Sequence, residues 1–186
     1  MLKLLIAFLL LSLSTNQVIK GVYQANGINQ KNTESNISPY KTRENSQCRR
    51  ASNVVHKAKE LIKNKNTDLQ KATALYNFVR DKINYVYYEN SLRGASSTLT
   101  KMGGNCSDQT NLLVAMCRAV NIPVRYVHGT GCKFQSGTYG HVWAQILIDN
   151  WWFAADTTSV RNSLGFINNW NYRSYNLRSI SSLLSF

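Results

Sequence analysis

Residues 103–120 read GGNCSDQTNLLVAMCRAV and predict a helix that begins at a cysteine. Apolar side chains recur at intervals of three and four through the second half of this stretch, which is the spacing of one helix face. Ser107 and Asp108 are residue types that begin helices, because their side-chain oxygens accept otherwise unpaired backbone N–H groups. We therefore expect Cys106 at a helix N-terminus, where the helix dipole and the free N–H groups favour a thiolate over a thiol.

The chain has 186 residues, of which 44% are hydrophobic, and this is enough for one domain with a core of its own. Its formal net charge of +13 favours an anionic partner, such as an acidic polymer or an acidic lipid surface. A solvated basic face without a specific partner explains the charge equally well. The Lys and Arg residues are scattered and match no nucleic-acid-binding motif, so we expect no nucleic-acid partner.

The N-terminal residues predict a location outside the cell or on its surface. Residues 1–14 contain Lys3 and then an apolar run, 4–13, which is typical of a secretory signal peptide; an uncleaved N-terminal anchor is the alternative. A run of ten residues is too short to span a bilayer, which needs about 20. Residues 15–47 are polar and lack periodicity, and we interpret them as a flexible linker to a folded domain over residues 48–186.

Within that domain, helical patterns precede strand patterns. Residues 54–62 and 67–83 have helical spacing, and the second of these helices starts with a T-x-x-Q capping box. Residues 141–148 and 151–156 predict a β-hairpin that turns at Asp149-Asn150, after a loop over residues 129–139. This order predicts an α+β fold in which N-terminal helices pack on an antiparallel sheet.

One histidine and one aspartate of that hairpin complete a nucleophilic site with Cys106. His141 opens the first strand and Asp156 closes the second, so the antiparallel pairing brings the two side chains together. The other histidines fit less well: His56 lies in a charged helical segment, and His128 is interpreted as structural. A thiolate, an imidazole that relays its proton and a carboxylate that orients the imidazole form a cysteine-protease triad.

Three further residues are candidates for the cleft. The Cys106 backbone N–H and a second donor, for which Asn105 and Tyr85 are the candidates, would hold an oxyanion. Trp143 follows His141 by two positions in the same strand, so it should point the same way and is a candidate for a wall of the cleft; core or rim packing is the commoner outcome for a Trp in a hairpin.

The remaining cysteines are interpreted from their positions. Cys117 lies on the apolar face of its helix and is expected in the core. If Cys106 is free, Cys48 and Cys132 are the natural disulfide, although four cysteines allow three pairings and the sequence does not choose among them. No CxxC spacing is present, so we expect no zinc site.

Four blocks of the sequence carry a family resemblance: GGNCSDQTNLL, VRYVHG, YGHVWAQILI and FAADTTSVRNSLGFINNWN. From about Cys48 to the C-terminus the chain resembles the transglutaminase-like, papain-related superfamily of cysteine peptidases. Within it, the likeness is greatest to the pseudomurein endoisopeptidases of methanogenic archaea and their viruses. The resemblance implies that Cys106 is the nucleophile, His141 the general base and acid, and Asp156 the residue that orients His141. It also implies that the substrate is an isopeptide bond in the peptide cross-links of the cell wall.

The chain departs from those enzymes before residue 48. They usually carry pseudomurein-binding repeats there, whereas this sequence has the apolar start and the polar segment. The resemblance further implies a divalent cation, with calcium as the expected ion. The sequence shows neither an EF-hand-like loop nor a dense carboxylate cluster, so no metal ligands are assigned.

Two other functions are compatible with the same residues. A transglutaminase would use the triad but transfer the acyl group of a glutamine to an amine instead of water. A wall-binding or adhesin-like module would keep the fold without catalysis, although such a module has no use for all three triad residues.

Overall fold

Apart from one short edge strand, the described helices precede the strands of the main sheet along the chain, as the amphipathic patterns predict. The computed structural model describes residues 30–45, 48–89 and 93–184. The helices are α1 (Ser38–Thr42), α2 (Ser52–Ile62), α3 (Asp68–Lys82), α4 (Gly94–Lys101) and α5 (Cys106–Ala119). The strands are β1 (Gln30–Lys31), β2 (Asn84–Tyr85), β3 (Gly103–Gly104), β4 (Val124–Phe134), β5 (Gly137–Ile148), β6 (Trp151–Ala155), β7 (Trp170–Asn171) and β8 (Asn176–Ser181).

Helix α5 is the centre of the helical layer. Every residue from Ser107 to Arg118 is buried, because α2, α3 and α4 pack around it on one side and β4 and β5 on the other. Its N-cap is Asn105, whose Oδ1 accepts from the backbone N–H of Asp108 at 3.0 Å. Gly104 is required just before it, since a Cβ at that position would lie 2.6 Å from the Cβ of Asp108.

Helix α3 begins where the capping box predicts. The Thr67 hydroxyl accepts from the N–H of Gln70 at 3.2 Å, and the Gln70 side chain accepts from the N–H of Thr67 at 3.3 Å. Helix α4, in contrast, was not predicted, because its sequence is mostly polar and has no apolar periodicity.

The antiparallel sheet has the strand order β1-β6-β5-β4-β7, and β8 also pairs with β4. The hairpin of β5 and β6 forms as predicted, with Asp149 and Asn150 both at positive φ in the turn. The prediction of a loop over residues 129–139 is wrong, because β4 and β5 continue pairing through this region. A register shift between Gly129 and Cys132 accommodates Thr130 and Gly131 without ending the strand pairing.

Part of the segment expected to be a flexible linker is attached to the domain. Gln30 pairs with Trp152 at the edge of the sheet, and Glu34 forms an ion pair with Arg125 at 2.6 Å. For residues 30–45 the expectation of a linker is therefore wrong, since a polar segment can dock through a few long-range contacts without an apolar stripe. The predicted signal segment, residues 1–14, lies outside the described residues. Within the residues that the structure describes, none of the helices is long and apolar enough to cross a membrane.

The guanidinium of Arg118 ties this segment to the end of α5. The side chain is fully buried and donates to the carbonyl oxygens of Tyr40 at 3.2 Å, of Arg43, and of Ser182 at 2.5 Å. A fourth contact joins its Nη1 to the Cys48 sulfur at 3.4 Å. One side chain thus connects chain segments from both ends of the domain.

Apolar side chains fill both faces of the sheet. The larger cluster lies between the sheet and the helices and includes Cys48 and Cys117, as expected for Cys117. A second cluster on the opposite face contains Cys132, Trp143 and Trp170. The predicted disulfide between Cys48 and Cys132 is wrong: both are free thiols, and they lie in separate clusters on opposite faces of the sheet.

Candidate active site

Cys106 is the first residue of α5, as the sequence predicts, and its side chain is half-buried. The first turn of this helix is fixed against β5, because the Thr110 hydroxyl donates to the carbonyl oxygen of Val142 at 3.2 Å. The backbone N–H of Val142 in turn donates to the Cys106 sulfur. The strand that carries His141 is therefore fixed directly beside the thiol.

The imidazole of His141 has one fixed orientation. Its Nε2 lies 2.9 Å from Oδ2 of Asp156, so the other ring nitrogen, Nδ1, is the one that can serve Cys106. Trp143 stacks on the ring with centroids 5.9 Å apart, and the edges of Phe134 and Trp170 lie against it at 5.2 and 5.6 Å. With only 5% of His141 exposed, the ring has little room to rotate.

Asp156 is almost completely buried, and both of its carboxylate oxygens are satisfied. Oδ2 accepts from His141 and from the indole N–H of Trp170, each at 2.9 Å. Oδ1 accepts from the backbone N–H of Thr158 at 3.0 Å and from its hydroxyl at 2.7 Å. A buried carboxylate with this many donors stays ionised.

The three ionisable groups stabilise one another in charged form. Burial alone would raise the pKa of Cys106, but the hydrogen bond and charge of His141 and the N–H of Val142 hold it below its usual value. Burial alone would lower the pKa of His141, but the Asp156 carboxylate and the Cys106 sulfur raise it. The pKa of Asp156 is lowered despite burial, because His141, Thr158 and Trp170 stabilise its charge. A thiolate beside an imidazolium is the expected resting state.

The thiol opens into a cleft of about 630 Å³. The cleft is lined by residues of three parts of the chain: the segment that carries Tyr85 and Tyr87, the hairpin of β4 and β5 with Tyr139, and the start of α5. This volume is within the range of small-molecule and peptide sites in proteins.

The predicted cleft residues fall in three different places. Tyr85 lines the cleft with 49% of its surface exposed; burial first, and then the charge of Cys106, raise the pKa of its phenol to about 12, so the phenol remains a donor. Asn105 also lines the cleft, but its amide caps α5 and donates to the carbonyl oxygen of Tyr88 at 3.1 Å. For Trp143 the candidate role as a wall of the cleft is wrong and packing in the core is confirmed: it lies fully buried behind His141, where it supports the ring.

Sequence reasoning missed two residues that hold Asp156. Thr158 could have been found, because a Thr two positions after an Asp commonly closes a turn on that carboxylate. Trp170 carries no comparable local pattern, since only the folding of residues 157–175 over the second face of the sheet brings it to Asp156.

The two other histidines differ in position. His56 is exposed on α2, as expected, whereas His128 is half-buried and lines the cleft. Burial first, and then the charges of Arg178 and His141, lower the pKa of His128, so it is neutral beside the imidazolium.

The described residues do not fit a resident metal ion. Over residues 30–45, 48–89 and 93–184, no three or more His, Cys, Asp or Glu side chains form a group that could hold one. The calcium that the resemblance implies remains an untested prediction, and no chemical step is assigned to it.

Comparisons with known proteins agree with this geometry. Residues 55–157 match the model of a family described as the transglutaminase-like superfamily. No curated protein sequence matches the chain.

Two solved structures share the fold at low sequence identity. A predicted cysteine protease from Cytophaga hutchinsonii has a TM-score of 0.65 and 19% identity, over 80% of this chain and 48% of that one. The periplasmic domain of TgpA from Pseudomonas aeruginosa has a TM-score of 0.50 and 16% identity, over 64% of this chain and 45% of that one. The chain thus spans about half the length of each of these structures, and the likeness supports the α+β transglutaminase-like fold.

Proposed function

The chain belongs to the transglutaminase-like superfamily, and on this premise we propose that it hydrolyses amide or isopeptide bonds through Cys106, His141 and Asp156. One observation carries the proposal. The imidazole that lies 2.9 Å from a buried carboxylate also lowers the pKa of the Cys106 thiol, and the thiol and the imidazole line the same open cleft. These are the parts that acyl transfer by a cysteine requires.

In the proposed reaction, the Cys106 thiolate attacks the carbonyl carbon and forms a tetrahedral intermediate. The backbone N–H of Cys106 lacks a partner within the helix and donates to the oxyanion, together with the phenol of Tyr85. The imidazolium of His141 protonates the leaving amine and then, as a neutral base, takes a proton from the water that releases the acyl group. Asp156 keeps Nδ1 of His141 directed at the thiol throughout.

The proposed substrate is a peptide cross-link of a cell wall of the pseudomurein type. This part of the proposal is supported by the four sequence blocks that resemble pseudomurein endoisopeptidases, which include all three proposed catalytic residues. A secreted or surface location, proposed from residues 1–14, would bring the enzyme to the wall, and the net charge of +13 would attract it to an acidic polymer.

Digestion of purified pseudomurein tests the proposal. Wild-type protein should release new amino groups, whereas Cys106→Ala and His141→Ala should be inactive and still fold. His56→Ala is the matched control, since that side chain is exposed on α2, and it should keep wild-type activity. Release of amino groups by Cys106→Ala at the wild-type rate would exclude this mechanism.

Acyl transfer to an amine is the second candidate, because the family is named for it and the same thioester can react with either acceptor. Adding a primary amine to a digest of a glutamine peptide separates the two by mass. Both reactions release ammonia from the glutamine side chain: hydrolysis adds water and leaves a carboxylate, whereas transfer adds the mass of the amine.

A further inference from the structure

The cleft and the rest of the protein differ in charge. The chain has 22 Lys and Arg residues, yet neither type occurs among the described residues that line the cleft. The charged groups that line it are Glu89, the Cys106 thiolate and the His141 imidazolium. The Asp156 carboxylate lies behind the imidazole, and the guanidinium groups of Arg93 and Arg178 act on the lining residues Tyr88 and His128. Because the thiolate and the imidazolium balance each other, Glu89 is the charged group without an opposite charge among the described residues that line the cleft.

Glu89 stands out among the acidic residues because it lacks a partner in the described structure. The sequence has nine Asp and Glu residues, and five of them form ion pairs with Lys or Arg: Glu34, Glu44, Glu60, Asp68 and Asp81. Asp156 pairs with His141, Asp108 accepts from Tyr88, and Asp149 has a partner as well. Because 22 Lys and Arg residues face only nine Asp and Glu residues, a carboxylate at the cleft that pairs with none of the described cations is available to bind a ligand.

The surroundings of Glu89 suit an ammonium group. Tyr85 and Tyr87 line the same cleft with 49% and 75% of their surfaces exposed, and aromatic faces attract cations. The nearby cation Arg93 is already occupied, because its guanidinium lies over the ring of Tyr88 at 4.9 Å and donates to the carbonyl oxygen of Gly103 at 2.7 Å.

We propose that Glu89, Tyr85 and Tyr87 form a subsite for an aliphatic ammonium group of the substrate. The enzyme would then act on peptides that carry a free amino group near the bond to be cut. This inference extends the proposed function by naming a chemical feature of the substrate. In this proposal the basic surface attracts an acidic polymer, and the cleft selects a cationic group of that polymer.

Charged thiol reagents test the subsite without any substrate. Cys106 is treated separately with a cationic methanethiosulfonate, which carries a trimethylammonium group, and with an anionic one, which carries a sulfonate. Rates are followed by mass spectrometry of the Cys106 peptide. Wild-type protein should react faster with the cationic reagent, and Glu89→Gln should lower the ratio of the two rates about fivefold, because one charge about 8 Å from the reagent in water changes each rate about twofold, in opposite directions. Glu60→Gln is the matched control, because it removes the same charge from α2, outside the cleft, and should leave the ratio unchanged.

Two results would overturn the subsite. One is an equal ratio of rates in wild type and Glu89→Gln; the other is an equal decrease in both variants, which would reflect net charge alone. A second measurement applies to hydrolysis: acetylating the free amino group of a cleaved peptide should reduce kcat/KM for wild type and not for Glu89→Gln. If no peptide is cleaved at all, the proposed function fails, while the reagent ratio still reports on the subsite.

Discussion

The hydrogen bond from Trp170 to Asp156 leads to a quantitative prediction. Trp170→Phe keeps an aromatic ring beside His141 but removes the indole N–H that lies 2.9 Å from the carboxylate. Trp152→Phe is the matched control, since that buried indole donates at 3.1 Å to the neutral amide of Asn32. A hydrogen bond to a charged group contributes about 1.5–3 kcal/mol and one between neutral groups about 0.5–1.5 kcal/mol. Both substitutions lose the same volume, so Trp170→Phe should cost about 1–2 kcal/mol more in free energy of unfolding.

The pH dependence identifies the cause. The pKa of Asp156 is lowered in the folded state, so its contribution to stability is present above the pKa of the unfolded chain and is lost as pH falls through the folded value. The extra cost of Trp170→Phe should therefore be full at neutral pH and shrink in acid, where the carboxyl group is protonated in either protein. The cost of Trp152→Phe should not change with pH. Urea denaturation at several pH values measures both costs, and equal, pH-independent costs would refute the assignment of Trp170 to the Asp156 charge.

Three further substitutions test other parts of the structure. Alkylation of Cys106 by iodoacetamide should accelerate as pH rises through a pKa below 9.0, and His141→Ala should move that step upward; an unmoved step would contradict the ion pair. Gly104→Ala should cost about 1–3 kcal/mol in urea denaturation, because its Cβ would overlap a neighbour, whereas Gly140→Ala, with the nearest atom 3.9 Å away, should cost less than about 0.5 kcal/mol. Arg118→Met should cost at least about 3 kcal/mol, since it leaves several buried carbonyl oxygens without a donor; a loss below 1 kcal/mol would contradict the role of this side chain.

The sequence predicted the features that depend on nearby residues. The helix after Cys106 and the hairpin that joins His141 to Asp156 follow from apolar spacing and a two-residue turn, and both occur in the structure. In such a hairpin the pairing itself brings the two side chains together, so no knowledge of the rest of the fold is needed.

The features that the sequence did not predict depend on contacts between distant residues. Trp143 and Trp170 lie in one buried cluster because residues 157–175 cover this face of the sheet, and no periodicity encodes that path. For the same reason Cys48 and Cys132, both outside the long apolar runs, gave no sign that the sheet would separate them. A polar segment such as residues 30–45 is misread as mobile when its attachment comes from a few side chains, here Arg118 and Arg125.

If the protein is attached to a surface, as proposed, Arg118 has a mechanical consequence. It lies on α5 about 18 Å from Cys106, at a rise of 1.5 Å per residue, and it donates hydrogen bonds to the backbone carbonyl oxygens of Tyr40 and Arg43. Tension applied through the preceding chain would therefore load the far end of this helix and the edge strand β1. Cys106 and His141 would not bear that tension, so their relative positions, on which the proposed reaction depends, would be unchanged.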